Sequence, residues 1–244
     1  MSDACVLCEV VDGVHTITLN RPDKLNALTA AMFRTLSTHL DKGLDGAVCV
    51  HLRANGRSFC AGHDLDDLAA SESYEVERFA NDVIERLANL PMPVIASVRG
   101  HCFTGGLELA LGADIIIAGE SAEFADTHSK WDLVPIWGMT QRLPRRIGTH
   151  RAMEMMFSGR RYRGPEAAAM GLANQCVPDA ELDAYSRDLC AAILANSARS
   201  NRAIKTLLMA TDGMPLAQGL AWELHRTEGH GPDFDAHLAE MRKG

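Results

Sequence analysis

Glu108 is the residue whose setting asks most plainly for chemistry. It follows the pair Gly105-Gly106 and stands between Leu107 and Leu109, with Ala110 and Leu111 beyond, in a run too apolar for a surface helix. A carboxylate buried there needs partners or a task. Read only structurally, it is a favourable negative charge in the first turn of a helix. The glycine pair adds a second feature, because first-turn N–H groups without neighbouring side chains can be approached closely by a ligand, and the helix dipole favours negative charge there. A second small-residue turn, Ser58-Phe59-Cys60-Ala61-Gly62-His63-Asp64-Leu65, offers further backbone donors. Two such turns from separate strands can form an oxyanion hole, in which N–H groups point at an oxygen that gains negative charge. Either turn alone is a weak signal, since small residues are common between strands and helices.

The elements that must hold these turns can be read from periodicity. Val94–Val98, bounded by Pro93 and Gly100, is a short apolar run that predicts a buried strand, and 114–118 predicts the next. Between them the helix begins at the glycine pair and stops near Gly112. A strand over 47–53 leads into the second turn. At the start of the chain, Val6–Val11 and Val14–Leu19 are strands joined by Asp12-Gly13, a strong hairpin signal. Thr29 is an N-cap for a helix to about residue 42, with Met32, Phe33, Leu36 and Leu40 on one face. Strands separated by helices imply crossovers and mostly parallel pairing. A helix over 71–90 follows Ser71, with Val76, Phe79, Val83, Ile84, Leu87 and Leu90 at helical spacing. From Thr149 onward the chain reads as helical, in segments 149–157, 164–170, 179–196, 200–211 and 215–230 and a charged final helix over 233–241. No linker, repeat or low-complexity tract divides it.

Composition bounds the function. The 244 residues are 47% hydrophobic, enough for one large α/β domain. No apolar run reaches membrane-spanning length, and the N-terminus lacks a signal pattern, so a soluble cytoplasmic protein is expected. A net charge of −8 argues against nucleic-acid binding. The arginines 142, 145, 146, 151, 160, 161 and 163 read as a solvated, ion-paired face. Seven cysteines, an odd number, suit reduced buried thiols, and Cys5-Val6-Leu7-Cys8 lacks the second pair and the helix start that metal or redox work requires. His63, His101 and His128 lack metal-ligand spacing, so no metal is expected.

Taken together, Asn20-Arg21-Pro22-Asp23-Lys24-Leu25-Asn26-Ala27-Leu28, Ala61-Gly62-His63-Asp64-Leu65 and Gly105-Gly106-Leu107-Glu108-Leu109-Ala110 resemble the signature regions of the enoyl-CoA hydratase/isomerase (crotonase) superfamily. The resemblance continues through Pro135, Thr140-Gln141-Arg142-Leu143, Ala152-Met153-Glu154-Met155 and 167–172, covering most of the chain in order. It implies a crotonase-type α/β fold: β-β-α units with perpendicular sheets over 1–195 and a helical trimerisation region over 196–244. It also implies an acyl-CoA thioester as partner, no cofactor beyond the coenzyme A of the substrate, and a homotrimer or dimer of trimers. The thioester oxygen would rest on the N–H groups of His63 and Gly105. The substrate and its coenzyme A moiety would meet Lys24, Asn26, Ala27, Leu28, Ala61, Asp64, Leu65, Gly106 and Pro135, with Arg21 and Arg57 as further nearby cations. The small, polar segment 65–73 would be mobile and would help to shape the acyl pocket.

One departure bears on the chemistry. The resemblance places a second catalytic glutamate after Phe124, and counting from Phe124 and from Pro135 puts His128 at that position. An imidazole exchanges a proton near neutrality, so Glu108 with His128 is competent for acid–base work on an enoyl thioester. Asp126 and Asp132 flank His128 and can orient it or take its place. Read structurally, His128 is a hydrogen-bonded histidine like most others. The larger Asp132 and Ile136 would reshape the acyl pocket, and Trp137 is core or pocket wall. The leading expectation is an enoyl-CoA hydratase-like lyase using Glu108 and His128. The alternatives are other enolate chemistry (isomerisation, decarboxylation, thioester hydrolysis), an acyl-CoA-binding protein without turnover, and a coenzyme A-independent diketone hydrolase.

Overall fold

The computed structural model describes residues 4–42, 44, 46–70 and 74–242. Val6–Val11 (β1) and Val14–Leu19 (β2) pair antiparallel, with Val11 opposite Val14. Asp12 and Gly13 between them have φ of 49° and 84°. Two successive left-handed residues give the turn whose twist matches the strands, which is why an Asp-Gly pair stands there. Ala30–Lys42 (α1) buries Met32, Phe33, Leu36 and Leu40, and the Thr29 hydroxyl accepts the Met32 N–H at 3.3 Å, as its N-cap position predicts.

Cys49–Ala54 (β3) leads into Leu65–Ala70 (α2) and Tyr74–Ala88 (α3). Val94–Val98 (β4), His101–Phe103 (β5), Gly105–Ala110 (α4), Ile115–Gly119 (β6) and Glu123–Ala125 (β7) follow. Then come Met139–Ile147 (α5), Thr149–Ser158 (α6), Tyr162–Arg163 (β8), Gly164–Ala169 (α7) and Gln175–Val177 (β9). Leu182–Leu194 (α8), Ala198–Thr211 (α9), Leu216–Arg226 (α10) and Phe234–Met241 (α11) complete the described chain.

Six strands form one sheet in the order β1-β2-β3-β4-β6-β9, with every pairing after the hairpin parallel. β4 is buried along its whole length and β3 along its first four residues, mostly apolar runs whose single polar members, His51 and Ser97, lie 2.6 Å apart between His51 Nε2 and Ser97 Oγ. A second sheet, β5-β7-β8, lies beyond the ends of β4 and β6 in the chain. Periodicity does not predict it. Its strands have two or three residues and are completed by pairing such as Phe124 with Tyr162, too short for any alternation to register.

One further expectation needs correction. The tail after Thr149 is not wholly helical, since β8 and β9 interrupt it, and β9 gains its strand character from pairing with Ile117, Ala118 and Gly119. The segment 65–73, expected to be mobile and to shape the acyl pocket, is helical over Leu65–Ala70, where Asp64 accepts the Asp66 N–H at 3.1 Å and caps the helix. Ser71 and residues 72 and 73 lie outside the described residues.

The arginine face is built as expected: Arg142 pairs with Glu85, Arg145 with Asp212, Arg160 with Glu166 and Arg161 with Glu123. α9 is tied to the sheet by buried Lys205, whose Nζ donates to Asp114 Oδ2 at 2.6 Å and to the Met92 carbonyl at 3.2 Å. All seven cysteines are free thiols. Among the described residues no helix is long and apolar enough to cross a membrane.

Candidate active site

The two small-residue turns meet because the chain segments that carry them are hydrogen-bonded side by side. Cys60 N–H donates to the His101 carbonyl at 2.7 Å, and Phe103 N–H returns to the Cys60 carbonyl at 3.0 Å, so residues 60–63 run alongside β5 into Gly105. A Cβ built on Gly105 would lie 3.5 Å from His63 N and 2.5 Å from Cζ3 of Trp137. Only glycine fits between that backbone nitrogen and the indole. The surrounding pairing skips His63: Leu28 N–H donates to the Gly62 carbonyl and Asp64 N–H to the Leu28 carbonyl. Gly105 is the first residue of α4, where an N–H has no acceptor within the helix. Between the turns Thr104 adopts φ 50°, ψ −114°, unusual for a β-branched residue. Its hydroxyl is held by Thr127 Oγ1 at 2.6 Å and its N–H by the Ala125 carbonyl at 2.9 Å. Such strain persists where the surroundings fix it, and here it aims the start of α4.

Glu108, 1% exposed, uses its two carboxylate oxygens differently. Oε1 accepts the Trp137 N–H at 3.0 Å and the Met139 N–H at 3.1 Å, capping the start of α5. Oε2 faces Nε2 of His128 at 3.8 Å. Burial pushes the Glu108 carboxyl up to about 7, against the lowering effect of His128 and of the two backbone donors. The group therefore exchanges a proton near neutrality. On the far side of the imidazole, His128 Nδ1 lies 2.5 Å from Asp126 Oδ1, which also accepts the His128 backbone N–H at 3.1 Å. Asp126 is thus the residue that orients the ring. Asp132 is not: it is exposed and ends the short helical turn after His128 in a left-handed conformation, with φ 54°.

Glu108, His128, Gly105 and His63 line one cavity of about 340 Å³, whose other walls include Leu68, Tyr74, Glu77, Val134, Ile136 and Trp137. Trp137 is both wall and core, packing edge-on against Phe33 at 4.9 Å and against His63 at 5.1 Å. A second cavity, of about 400 Å³, shares His63, Leu68, Thr104 and Leu133 with the first and continues past Lys24, Ala27, Ala61, Asp64 and Leu65.

Four of the expected contact residues do other work. Asn26 is buried with its side chain spent on backbone, accepting the Arg21 N–H at 2.7 Å and donating to the Asn55 and Ser58 carbonyls at 2.9 and 2.8 Å. It shapes the turn that presents Lys24. Leu28 is fully buried in the core. Gly106 packs on Cys60, whose carbonyl would stand 2.7 Å from an added Cβ. Pro135 lines neither cavity, although Val134 and Ile136 beside it line the first. Arg21 lines neither cavity and is bound to Asp64 at 3.0 Å and to the Ala27 carbonyl at 2.6 Å; Arg57 also stands outside both. Glu77 is the wall residue that periodicity did not reveal. The signal was present, since a carboxylate at position 77 continues the buried stripe of Ala80, Ile84 and Leu87.

The family profile described as enoyl-CoA hydratase/isomerase matches residues 9–231. This chain belongs to that family. A probable enoyl-CoA hydratase of Rhodobacter capsulatus is 34% identical over 240 residues, covering 96% of this chain and 93% of its own. Among solved structures, an enoyl-CoA hydratase from Bacillus anthracis superposes with a TM-score of 0.93 at 31% identity, covering 98% of this chain and 96% of its own. A putative enoyl-CoA hydratase from Thermobifida fusca, solved in complex with acetoacetyl-CoA, superposes with a TM-score of 0.86 at 30% identity over 97% and 96% of the two chains. The crotonase fold and an enzyme of the hydratase/isomerase family are thereby established. Within that family, His128 occupies the position at which the resemblance places a second glutamate, and it faces Glu108 across the cavity.

Proposed function

We propose that this chain adds water across the double bond of an enoyl-CoA thioester, with Glu108 and His128 as the acid–base pair. The observation that carries this reading is the alignment of Asp126, His128 and Glu108 beside two convergent backbone donors. With Asp126 accepting from Nδ1–H, Nε2 of His128 keeps its lone pair and serves as the base for water. Hydroxide adds to the β-carbon as the water proton passes to Nε2. The thioester carbonyl becomes an enolate, held by the N–H groups of His63 and Gly105. Glu108, protonated on the oxygen that faces His128, delivers its proton to the α-carbon, and the imidazolium returns one to Glu108. The net change is one water added across one double bond.

The second cavity suits the coenzyme A arm, with exposed Lys24 as the cation for its phosphates and Ala27, Ala61, Asp64 and Leu65 along its path. The apolar faces of α9 and α10, where Ile204, Leu208, Leu216 and Leu224 are exposed, support assembly into a trimer or dimer of trimers. Seven free thiols support a reducing, cytoplasmic setting. No cofactor takes part beyond the coenzyme A of the substrate.

The test is product analysis after incubation with crotonyl-CoA. Formation of β-hydroxybutyryl-CoA supports hydration. A shifted double bond, a free acid or an unchanged thioester would redirect the same enolate site to isomerisation, hydrolysis or binding alone.

A further inference from the structure

Resting on the reading of Gly105 as an oxyanion donor and His128 as the base, we infer that the hydroxyl pair Thr104–Thr127 is a positioning strap that holds these two halves of the site in register. Thr104 precedes Gly105, and Thr127 precedes His128. Thr104 is the N-cap residue of α4, and Thr127 that of the short helical turn His128–Trp131. A threonine at an N-cap ordinarily offers its oxygen to an N–H of its own helix. Neither does so here. Instead the two hydroxyl oxygens lie 2.6 Å apart, and Thr104 Oγ1 also accepts the Thr127 N–H at 3.3 Å. Each helix start forgoes its own cap for a bond to the other.

The place of this bond gives it a task. β5 and β7 pair in parallel through Phe103 and Ala125, and the Thr104 N–H donates to the Ala125 carbonyl at 2.9 Å. Beyond that point both segments leave the sheet, one into the oxyanion glycine and the other through Asp126 and Thr127 to the base. The hydroxyl pair carries the tie one step further. Thr127 also stands between Asp126 and His128, so anchoring it anchors the backbone of both. Thr104 lines both cavities and Thr127 the second, which puts the strap at their join, where the thioester sits in the hydratase reading.

The backbone of Thr104 supports the same role. Its φ of 50° and ψ of −114° are easy only for glycine, and a β-branched residue held there is strained. What threonine offers at this position, and glycine does not, is a hydroxyl whose hydrogen bonds run to Thr127. The backbone alone is better served by glycine, and the site by threonine. Proton transfer and charge stabilisation act on one bound substrate, so a shift of about 1 Å between the base and the oxyanion donors costs rate on the order of a hundredfold.

The experiment measures steady-state crotonyl-CoA hydration and melting temperature for the wild type, Thr127→Val, Thr127→Ser and Thr104→Gly. Valine keeps the shape of threonine without the hydroxyl, serine keeps the hydroxyl, and glycine removes hydroxyl and strain together. T127V and T104G break the bond from opposite ends, so either alone decides the matter. In both, kcat is expected to fall about tenfold or more with KM within about twofold, while T127S stays near the wild type and T104G melts no lower than it. Wild-type kcat in T127V or T104G overturns the inference and leaves the hydratase reading standing. So does a loss of kcat that serine shares, or one that tracks a loss of melting temperature. If the wild type instead yields an isomer or a free acid, the hydratase reading falls, and the same comparison of kcat for that product decides the strap. A wild type that turns over no thioester overturns both.

Discussion

Nδ1 of His128 lies 2.5 Å from Oδ1 of Asp126, two residues earlier in the chain. Asp126 follows β7 directly and is itself buried, so the contact is set by the second sheet and does not depend on ligand. It fixes which ring nitrogen carries the proton and turns the other toward Glu108.

Asp126→Asn replaces the acceptor with a group that can donate to Nδ1 and so force the proton onto Nε2. Steady-state kinetics should show kcat falling about a hundredfold or more with KM little altered. A kcat equal to that of the wild type would remove Asp126 from the mechanism.

Burial raises Glu108 to about 7 from an ordinary value of 4.5. The folded state therefore binds more protons than the unfolded state between those values, and this site's contribution to stability is full below the lower value and is lost as pH rises through the upper one. Glu108→Gln removes that loss. Thermal unfolding at about pH 5 and about pH 8 should show the variant gaining on the wild type at the higher pH, by roughly 1–3 kcal/mol. A difference that does not change with pH would mean the carboxyl is not raised.

Neighbouring glycines should fail in different ways. Gly105→Ala puts a Cβ 2.5 Å from Trp137 and 3.5 Å from His63 N, so the oxyanion site is obstructed and kcat/KM should fall about a hundredfold or more. Gly106→Ala puts its Cβ 2.7 Å from the Cys60 carbonyl, and the expected loss is in melting temperature. Equal activity losses per unit of stability in the two variants would contradict the separate roles.

Lys24 is exposed on the second cavity, so its contribution to coenzyme A affinity is that of a screened surface pair. Titration calorimetry at low salt should show Lys24→Ala weakening the Kd for coenzyme A by about two- to fivefold, with the difference shrinking as salt is added. No change at low salt would place the phosphates elsewhere.

The parts of this site legible in the sequence were those that local composition enforces. A carboxylate inside Leu107–Leu109, a glycine pair at a helix start and a small-residue turn after a strand each announce themselves. The register from Phe124 placed His128, and Asp126 beside it was a candidate orienter that the geometry then singled out from Asp132. What was not legible depends on tertiary pairing. β5, β7 and β8 are too short to carry a period, and the Asn26 side chain disappears into carbonyls contributed by Asn55 and Ser58. Glu77 reaches the cavity only because α3 packs with that face inward.

The measurement that bears most directly on the central claim is crotonyl-CoA hydration by the wild type, Glu108→Gln and His128→Ala, with crotonyl-CoA binding measured alongside. The Glu108–His128 pair predicts wild-type turnover that drops about a hundredfold or more in each variant while binding stays within a few fold. Turnover that survives in either variant would contradict the pair.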